Sequence, residues 1–139
     1  PNGVGGAAQA HDGAVFDFGP GEQAALVALD QVGVPYRYGG NSPQGFDCSG
    51  LVQYSYKQAG LRLPRTTQAL FRASQLVDPK HLQAGDLVFF TISSKKIAHV
   101  GIYADNKRFI HAPSSGKVVS YASLENPYWK NRLVAVGRF

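Results

Sequence analysis

An α+β fold is predicted by the order in which two periodicities follow each other along the chain. Apolar residues recur at helical spacing in three segments between residues 21 and 75, whereas strand-like segments dominate after residue 81. The 139 residues are 44% hydrophobic and 17% charged, a composition typical of one globular domain with a single core. Since the helices come first and the strands afterwards, we expect an antiparallel sheet packed against a helical half.

Three helices are predicted in the first half of the chain. The first begins at Gly21 and stops at Gly33 and Pro35, because these residue types end helices. A loop rich in Gly, Pro and Asn covers residues 36–45. The second helix covers residues 48–59 and stops at Gly60, and the third covers residues 66–75.

Five strands are predicted in the second half, where β-branched and aromatic residues are bounded by turn-forming residues. They cover residues 86–91, 99–104, 107–112, 117–121 and 133–139. The second and third of these strands form a hairpin around residues 104–106. The domain as a whole is expected to occupy residues 21–139.

Residues 1–20 differ in composition from the rest of the chain. They are rich in Gly and Ala and lack periodicity, which is typical of a flexible tail or linker. Pro1 is not preceded by an initiator Met or a signal sequence, so we expect a mature or trimmed product. No run of about 18 apolar residues exists, and a membrane-spanning segment is therefore not predicted.

The chain carries a formal net charge of +5, which favours anionic partners. Its Lys and Arg residues are scattered, and the densest cluster is the pair Lys95-Lys96. No basic run is interleaved with aromatic residues, as a nucleic-acid surface would require. We therefore expect no nucleic-acid partner.

Cys48 is the only cysteine, so it is an inert buried thiol, a metal ligand or a nucleophile. The residues around it favour the nucleophile, because a Gly-rich loop ends and an apolar helical pattern begins at this point. Cys48 would then lie in the first turn of a helix, with Asp47 as N-cap. The positive end of the helix dipole would lower the pKa of the thiol, and the Cys48 backbone N–H could stabilise an oxyanion.

A thiol nucleophile needs a general base, and histidine has a suitable pKa. His11 lies in the tail and His81 in a polar connection, whereas His99 and His111 lie in the two strands of the predicted hairpin. A three- or five-residue turn centred on Asp105 would put His99 directly opposite His111, so that one ring could orient the other. A two-residue turn at residues 105–106 would put the rings on opposite faces.

Two alternatives remain open for these histidines. They could be half-buried strand residues with satisfied hydrogen bonds, or they could bind zinc together with Cys48. The zinc alternative is weaker, because neither histidine is accompanied by the nearby Glu of catalytic zinc motifs.

The chain resembles the NlpC-type family of cell-wall cysteine endopeptidases from about residue 22 to residue 139. Six motifs in the right order carry the resemblance: PYRYGG at 35–40, FDCSGLV at 46–52, LPRT at 63–66, AGDLVFF at 84–90, HVGIY at 99–103 and FIHA at 109–112.

The resemblance implies a papain-like core with Cys48 as nucleophile, His99 as base and His111 as the residue that orients it. It also implies that the Tyr36 hydroxyl helps to bind the oxyanion. Substrate contacts are expected from three further residues, Asp47, Ser49 and Arg65. For Arg65 and for Asp86, a scaffold ion pair or turn is the alternative interpretation.

The resemblance further implies hydrolysis of peptidoglycan stem peptides, commonly at the bond between D-γ-glutamate and the following diamino acid. We accordingly expect an extracytoplasmic monomer that uses no cofactor and whose partner is the peptidoglycan stem peptide. A non-catalytic wall-binding module and an N-acyl amidase or transferase on the same scaffold are the alternative functions.

Overall fold

The computed structural model describes residues 18–139, and its helices followed by an antiparallel sheet confirm the predicted α+β class. The tail predicted over residues 1–20 lies outside the described residues, apart from its last three positions. Pro20 already belongs to the first helix, one residue before the predicted start. Between residues 18 and 139, no helix has both the length and the apolar character needed to cross a membrane.

The helices and strands have the following bounds. The helices are α1 (Pro20–Asp30), α2 (Cys48–Gln58), α3 (Thr67–Ala73) and α4 (Pro127–Lys130), with a 3-10 turn at Pro79–His81. The strands are β1 (Asn41–Ser42), β2 (Gly45–Phe46), β3 (Gln75–Val77), β4 (Leu87–Thr91), β5 (Ile97–Asp105), β6 (Arg108–His111), β7 (Ser120–Ser123) and β8 (Leu133–Arg138).

Six strands form one antiparallel sheet in the order β3-β8-β4-β5-β6-β7. The residues of β4 alternate between two apolar clusters, as the period of a strand requires. Leu87 and Phe89 pack in the cluster that includes the buried residues of α1 and α2. Val88 and Phe90 pack in a second cluster, against which Trp129 of α4 lies. The sheet is therefore covered by apolar residues on both faces.

The hairpin of β5 and β6 differs from the prediction in its turn. The turn has two residues, Asn106 and Lys107, which both adopt positive φ angles of 49° and 63°. The predicted odd-length turn is thus wrong. A bulge between Tyr103 and Asp105 adds one residue to β5, and this restores the parity that puts both histidines on one face. His111 consequently lies diagonal to His99 and not directly opposite it.

Other differences concern short elements. The third helix ends at Ala73 instead of residue 75, because Gln75 begins β3 and pairs with Arg138 of β8. The predicted loop over residues 36–45 contains the two-residue strands β1 and β2, and α4 was not predicted. Such elements are too short to show a periodicity, and tertiary contacts stabilise them.

The N-terminal end of α2 lies against the loop that precedes β1. The carbonyl oxygen of Gly40 accepts a hydrogen bond from the backbone N–H of Asp47 at 2.9 Å. A Cβ atom at Gly50 would overlap this same carbonyl oxygen. The close approach of α2 to the loop therefore requires glycine at position 50.

We expect Gly50→Ala to lower the free energy of unfolding by at least about 2 kcal/mol, because the added methyl group must push α2 away from the loop. Urea denaturation measures this change. Gly19→Ala is the matched control, since a Cβ there has its nearest neighbour at 3.9 Å. Its cost should stay below about 1 kcal/mol. Equal losses in the two variants would contradict the importance of this contact.

Candidate active site

Cys48 is the first residue of α2, as the sequence predicted. Asp47 is the N-cap, and its carboxylate accepts a hydrogen bond from the Gly50 backbone N–H at 2.7 Å. The extended conformation of Asp47 and the glycine-rich loop before it explain why the helix begins here. The sulfur of Cys48 thus lies at the positive end of the helix.

The surroundings of the Cys48 sulfur correct one expectation. Burial raises the pKa of the Cys48 thiol, because the thiolate loses hydration, and this outweighs the opposing hydrogen bonds from Thr67 and Val100. The sequence-based prediction of a lowered pKa considered only the helix dipole and is wrong in direction. The Thr67 hydroxyl lies 3.6 Å from the sulfur. Cys48 also packs against the apolar cluster that includes Val100, the residue that follows His99.

His99 and His111 form a buried pair. Nε2 of His99 lies 2.7 Å from Nδ1 of His111, and the two side chains are buried. Burial lowers the pKa of both imidazoles, because the charged forms lose hydration, and the neighbouring His111 lowers that of His99 further. Both rings are therefore neutral at pH 7. A single hydrogen bond between them requires one ring to donate and the other to accept.

Trp129 of α4 packs against both histidine rings, and the sequence analysis did not identify it as a site residue. Its ring stacks on His99 with centroids 5.4 Å apart and planes inclined by 26°, and it meets the edge of His111 at 5.1 Å. Phe90 and Phe109 complete the aromatic surroundings. One signal was available, because Trp129 is the only tryptophan and follows an Asn-Pro helix start.

Thr67 was also missed as a site residue, although the sequence placed a helix start near it. Its hydroxyl contacts a sulfur that is 19 positions away in the chain. No local sequence pattern predicts a contact over this separation. Thr67 itself is buried, and Thr66 is the residue that caps α3.

A cleft of about 380 Å³ opens where α2 meets the sheet. Cys48, His99 and Tyr36 line it together, so three of the four predicted catalytic residues share one cavity. His111 lies behind His99. Burial raises the pKa of the Tyr36 hydroxyl, and the nearby Cys48 raises it further. The hydroxyl therefore keeps its proton at neutral pH and can donate a hydrogen bond into the cleft.

The three residues predicted to contact substrate form a cluster with each other. Arg65 makes a two-pronged ion pair with Asp47 at 3.0 and 2.8 Å, and it donates to the Ser49 hydroxyl at 2.8 Å. None of the three lines the cleft that contains Cys48. Their contact with substrate stays a prediction, and the alternative of a scaffold ion pair gains support for Arg65.

Asp86 also lies in an ion pair. Its buried carboxylate accepts hydrogen bonds from the Arg138 guanidinium at 2.7 and 2.8 Å, and from the Gln83 backbone N–H at 2.8 Å. This pair and turn tie the start of β4 to the end of β8. Within residues 18–139, no three His, Cys, Asp or Glu side chains come together in a group that could hold a metal ion.

Comparison with known proteins identifies relatives of most of the chain. Residues 33–138 match the model of the NlpC/P60 family. The chain is 47% identical over 120 residues to a Bacillus subtilis (strain 168) protein named bifunctional muramidase/DL-endopeptidase CwlT, an alignment that covers 84% of this chain and 36% of that protein. It is 40% identical over 126 residues to the murein DD-endopeptidase MepH of Escherichia coli (strain K12), covering 84% of this chain and 46% of that protein.

A solved structure supports the fold. The crystal structure of a protein similar to lipoprotein, of the NLP/P60 family, from Staphylococcus aureus subsp. aureus Mu50 superposes with a TM-score of 0.77. The sequence identity is 38%, and the match covers 90% of this chain and 43% of that chain. The chain spans less than half of the length of each of these three proteins.

The buried neutral histidines predict a loss of stability in mild acid. Their pKa values lie below the ordinary 6.5, so the unfolded chain binds more protons than the folded protein once the pH falls below 6.5. The contribution of the two neutral histidines to the free energy of unfolding is fully present above pH 6.5. Below this pH, the free energy of unfolding should fall by up to about 1.4 kcal/mol per pH unit for each histidine, until the pH reaches the lowered pKa values. Urea denaturation at pH 6.5, 5.5 and 4.5 measures this slope.

The double variant His99→Gln with His111→Gln should have a shallower slope than the wild type over the same interval. The control is His81→Gln, which removes an exposed histidine. An unchanged slope in the double variant would contradict the proposed neutrality of the buried pair.

Proposed function

This chain belongs to the NlpC/P60 family, and from that premise we propose that it is a cysteine endopeptidase that hydrolyses peptidoglycan stem peptides. One observation carries the proposal. The thiol of Cys48 opens into the same cleft as His99, whose other side is hydrogen-bonded to His111. The shared cleft and this hydrogen bond support the assignment of Cys48 as nucleophile, His99 as base and His111 as orienting group.

The bond that we propose for cleavage joins D-γ-glutamate to the following diamino acid. The Bacillus subtilis relative, 47% identical, is named a DL-endopeptidase, and this name supports the choice. The Escherichia coli relative is named a DD-endopeptidase. Because the two names differ, the reaction products have to identify the bond that this chain cleaves. The net charge of +5 suits a wall polymer whose peptides carry carboxylates.

The first step transfers a proton from the Cys48 thiol to His99. Since Nε2 of His99 is hydrogen-bonded to His111, Nδ1 is the ring nitrogen that accepts the proton of the thiol. His99 must then carry its resting proton on Nε2 and donate it to Nδ1 of His111. The imidazolium that forms shares its charge through this bond. The thiolate attacks the γ-carbonyl carbon of the glutamate, and the carbonyl π electrons move to the oxygen.

The oxyanion is stabilised by two donors in our proposal. These are the backbone N–H of Cys48, at the N-terminal end of α2, and the protonated hydroxyl of Tyr36. When the C–N bond breaks, His99 gives its Nδ1 proton to the leaving amine. The product left on the enzyme is a thioester between Cys48 and the glutamyl group.

Water completes the reaction. His99, neutral again, takes a proton from a water molecule that attacks the thioester carbonyl. Collapse of the second oxyanion releases the carboxylic acid product and returns the proton to the sulfur of Cys48. Each proton that leaves Cys48 or water thus passes through His99, and the chain ends the cycle unchanged.

Four residues around these groups act as positioning residues in this proposal. Trp129 holds the ring of His99 by stacking, and Thr67 limits where the sulfur can lie. The Asp47–Arg65 pair fixes the first turn of α2, because Arg65 also approaches the Gly40 carbonyl at 3.4 Å. Peptidoglycan lies outside the cytoplasmic membrane, and we propose that the protein acts there as a monomer.

We expect purified peptidoglycan to release stem-peptide fragments with the wild type and none above background with Cys48→Ala, because the variant lacks the nucleophile. Mass spectrometry of the products identifies the bond. Equal thermal unfolding of the two proteins serves as the control for folding. Equal release by both proteins would overturn the proposal. Binding without release by either would favour a wall-binding module, and loss of the whole peptide from the sugar would favour an amidase.

His99 and His111 should respond differently to substitution. His99→Ala removes the base and should lower kcat/KM by about 10²–10⁴-fold. His111→Asn keeps a hydrogen-bond acceptor near Nε2 of His99 and should lower it by about tenfold or less. His81→Ala, outside the cleft, is the control and should match the wild type. Comparable losses for His99→Ala and His111→Asn would contradict a purely orienting role of His111.

A further inference from the structure

Lys117 is the only side chain with a formal charge at pH 7 among the described residues that line the Cys48 cleft. The others are apolar, aromatic, hydroxyl-bearing or neutral imidazole groups, and no acidic residue is among them. Lys117 is exposed, and within residues 18–139 its ammonium group takes part in no salt bridge. The cleft therefore offers one cation to an incoming ligand.

The backbone of Lys117 is fixed beside Tyr36. The Tyr36 backbone N–H donates to the Lys117 carbonyl at 2.9 Å, and Pro35 forms a β-bridge with Val118. The Val119 backbone N–H donates to the Val34 carbonyl at 2.8 Å, which continues this pairing. The backbone of Lys117 is thus fixed relative to Tyr36, and its flexible side chain extends from this fixed point.

A second cation lies beside one of the residues that line the cleft. Tyr128 lines the cleft, and the guanidinium of Arg132 lies 3.7 Å above the centre of its ring. Arg132 also donates to the Tyr128 carbonyl at 2.9 Å, so the guanidinium is held in place. Among the described residues, the lining thus combines one lysine with no carboxylate, and a guanidinium lies beside it; this favours an anionic group next to the scissile bond.

A γ-linked glutamate supplies such a group. Because its side-chain carboxyl forms the scissile amide, its α-carboxylate stays free on the acyl side of the bond. We infer that Lys117 binds this α-carboxylate and makes the enzyme selective for stem peptides whose D-glutamate is not amidated. The inference rests on the proposed function, since it concerns the acyl side of that reaction.

The chemistry of the alternative substrate explains the selectivity. In a stem peptide that carries D-isoglutamine, the α-carboxylate is replaced by a neutral carboxamide of almost the same size. Lys117 could then form only a neutral-acceptor hydrogen bond, which is about half as strong as one to a carboxylate. We expect kcat/KM to be 10- to 100-fold higher for the carboxylate peptide.

The test uses two synthetic stem peptides that differ only in this carboxylate or carboxamide. Wild type, Lys117→Gln and Lys117→Arg are compared with both peptides, and cleavage is followed by chromatography. Lys117→Gln should lose the preference by cleaving the carboxylate peptide 10- to 100-fold more slowly, mainly through KM. Its rate with the carboxamide peptide should change less than threefold. Lys117→Arg should keep most of the preference, because the charge remains.

Lys80→Gln is the matched control, since it removes the same charge from an exposed site outside the cleft. It should keep the wild-type preference. A similar loss in Lys80→Gln would overturn the inference in favour of general electrostatic attraction. Equal rates of the wild type on the two peptides would overturn it as well, while the proposed function would stand.

Binding to Cys48→Ala separates recognition from chemistry. Titration calorimetry should show tighter binding of the carboxylate peptide, and Lys117→Gln in this background should remove the difference. Equal binding of the two peptides before and after the substitution would overturn the inference. If the wild type cleaved neither peptide, the proposed function would be overturned, and the inference would fall with it.

Discussion

The hydrogen bond of 2.7 Å between His99 and His111 is the contact on which the candidate site depends. It exists because the bulge in β5 brings two residues of neighbouring strands to the same face of the sheet. Trp129, Phe90 and Phe109 exclude water from the pair. In these apolar surroundings a neutral imidazole is favoured over a charged one, and only the neutral form can accept a proton from a thiol.

The thiol comes from a separate rigid unit, the first turn of α2. Its position follows from the Asp47 cap, the ion pair with Arg65 and the approach of Gly50 to the Gly40 carbonyl. The helix and the hairpin meet at the cleft that Cys48 and His99 line together. Because each unit is held by its own contacts, the geometry of the cleft does not depend on a flexible loop for either of its central groups.

Burial favours the neutral form of both partners of the proposed proton transfer, Cys48 and His99. It raises the pKa of the thiol and lowers the pKa of the imidazole, so the resting site holds two neutral groups. In a thiolate–imidazolium ion pair, each of the two charges would lose hydration in this environment, and each loss costs free energy. In the proposed function, the oxyanion donors stabilise the negative charge that develops on the carbonyl oxygen during the reaction. Lys117 stabilises the carboxylate that the substrate carries.

The sequence alone determined the features that depend on neighbours along the chain. Asp47, Cys48 and Gly50 define a capped helix start within four residues, and the strands around His99 and His111 follow from local alternation and turn residues. Tertiary structure alone decided what depends on distant partners: the bulge, the stacking of Trp129, the Thr67 contact and the pairing of Arg65 with Asp47. The pKa of Cys48 belongs to the second group, because the helix dipole can be predicted from sequence whereas burial arises only when the helix packs on the sheet.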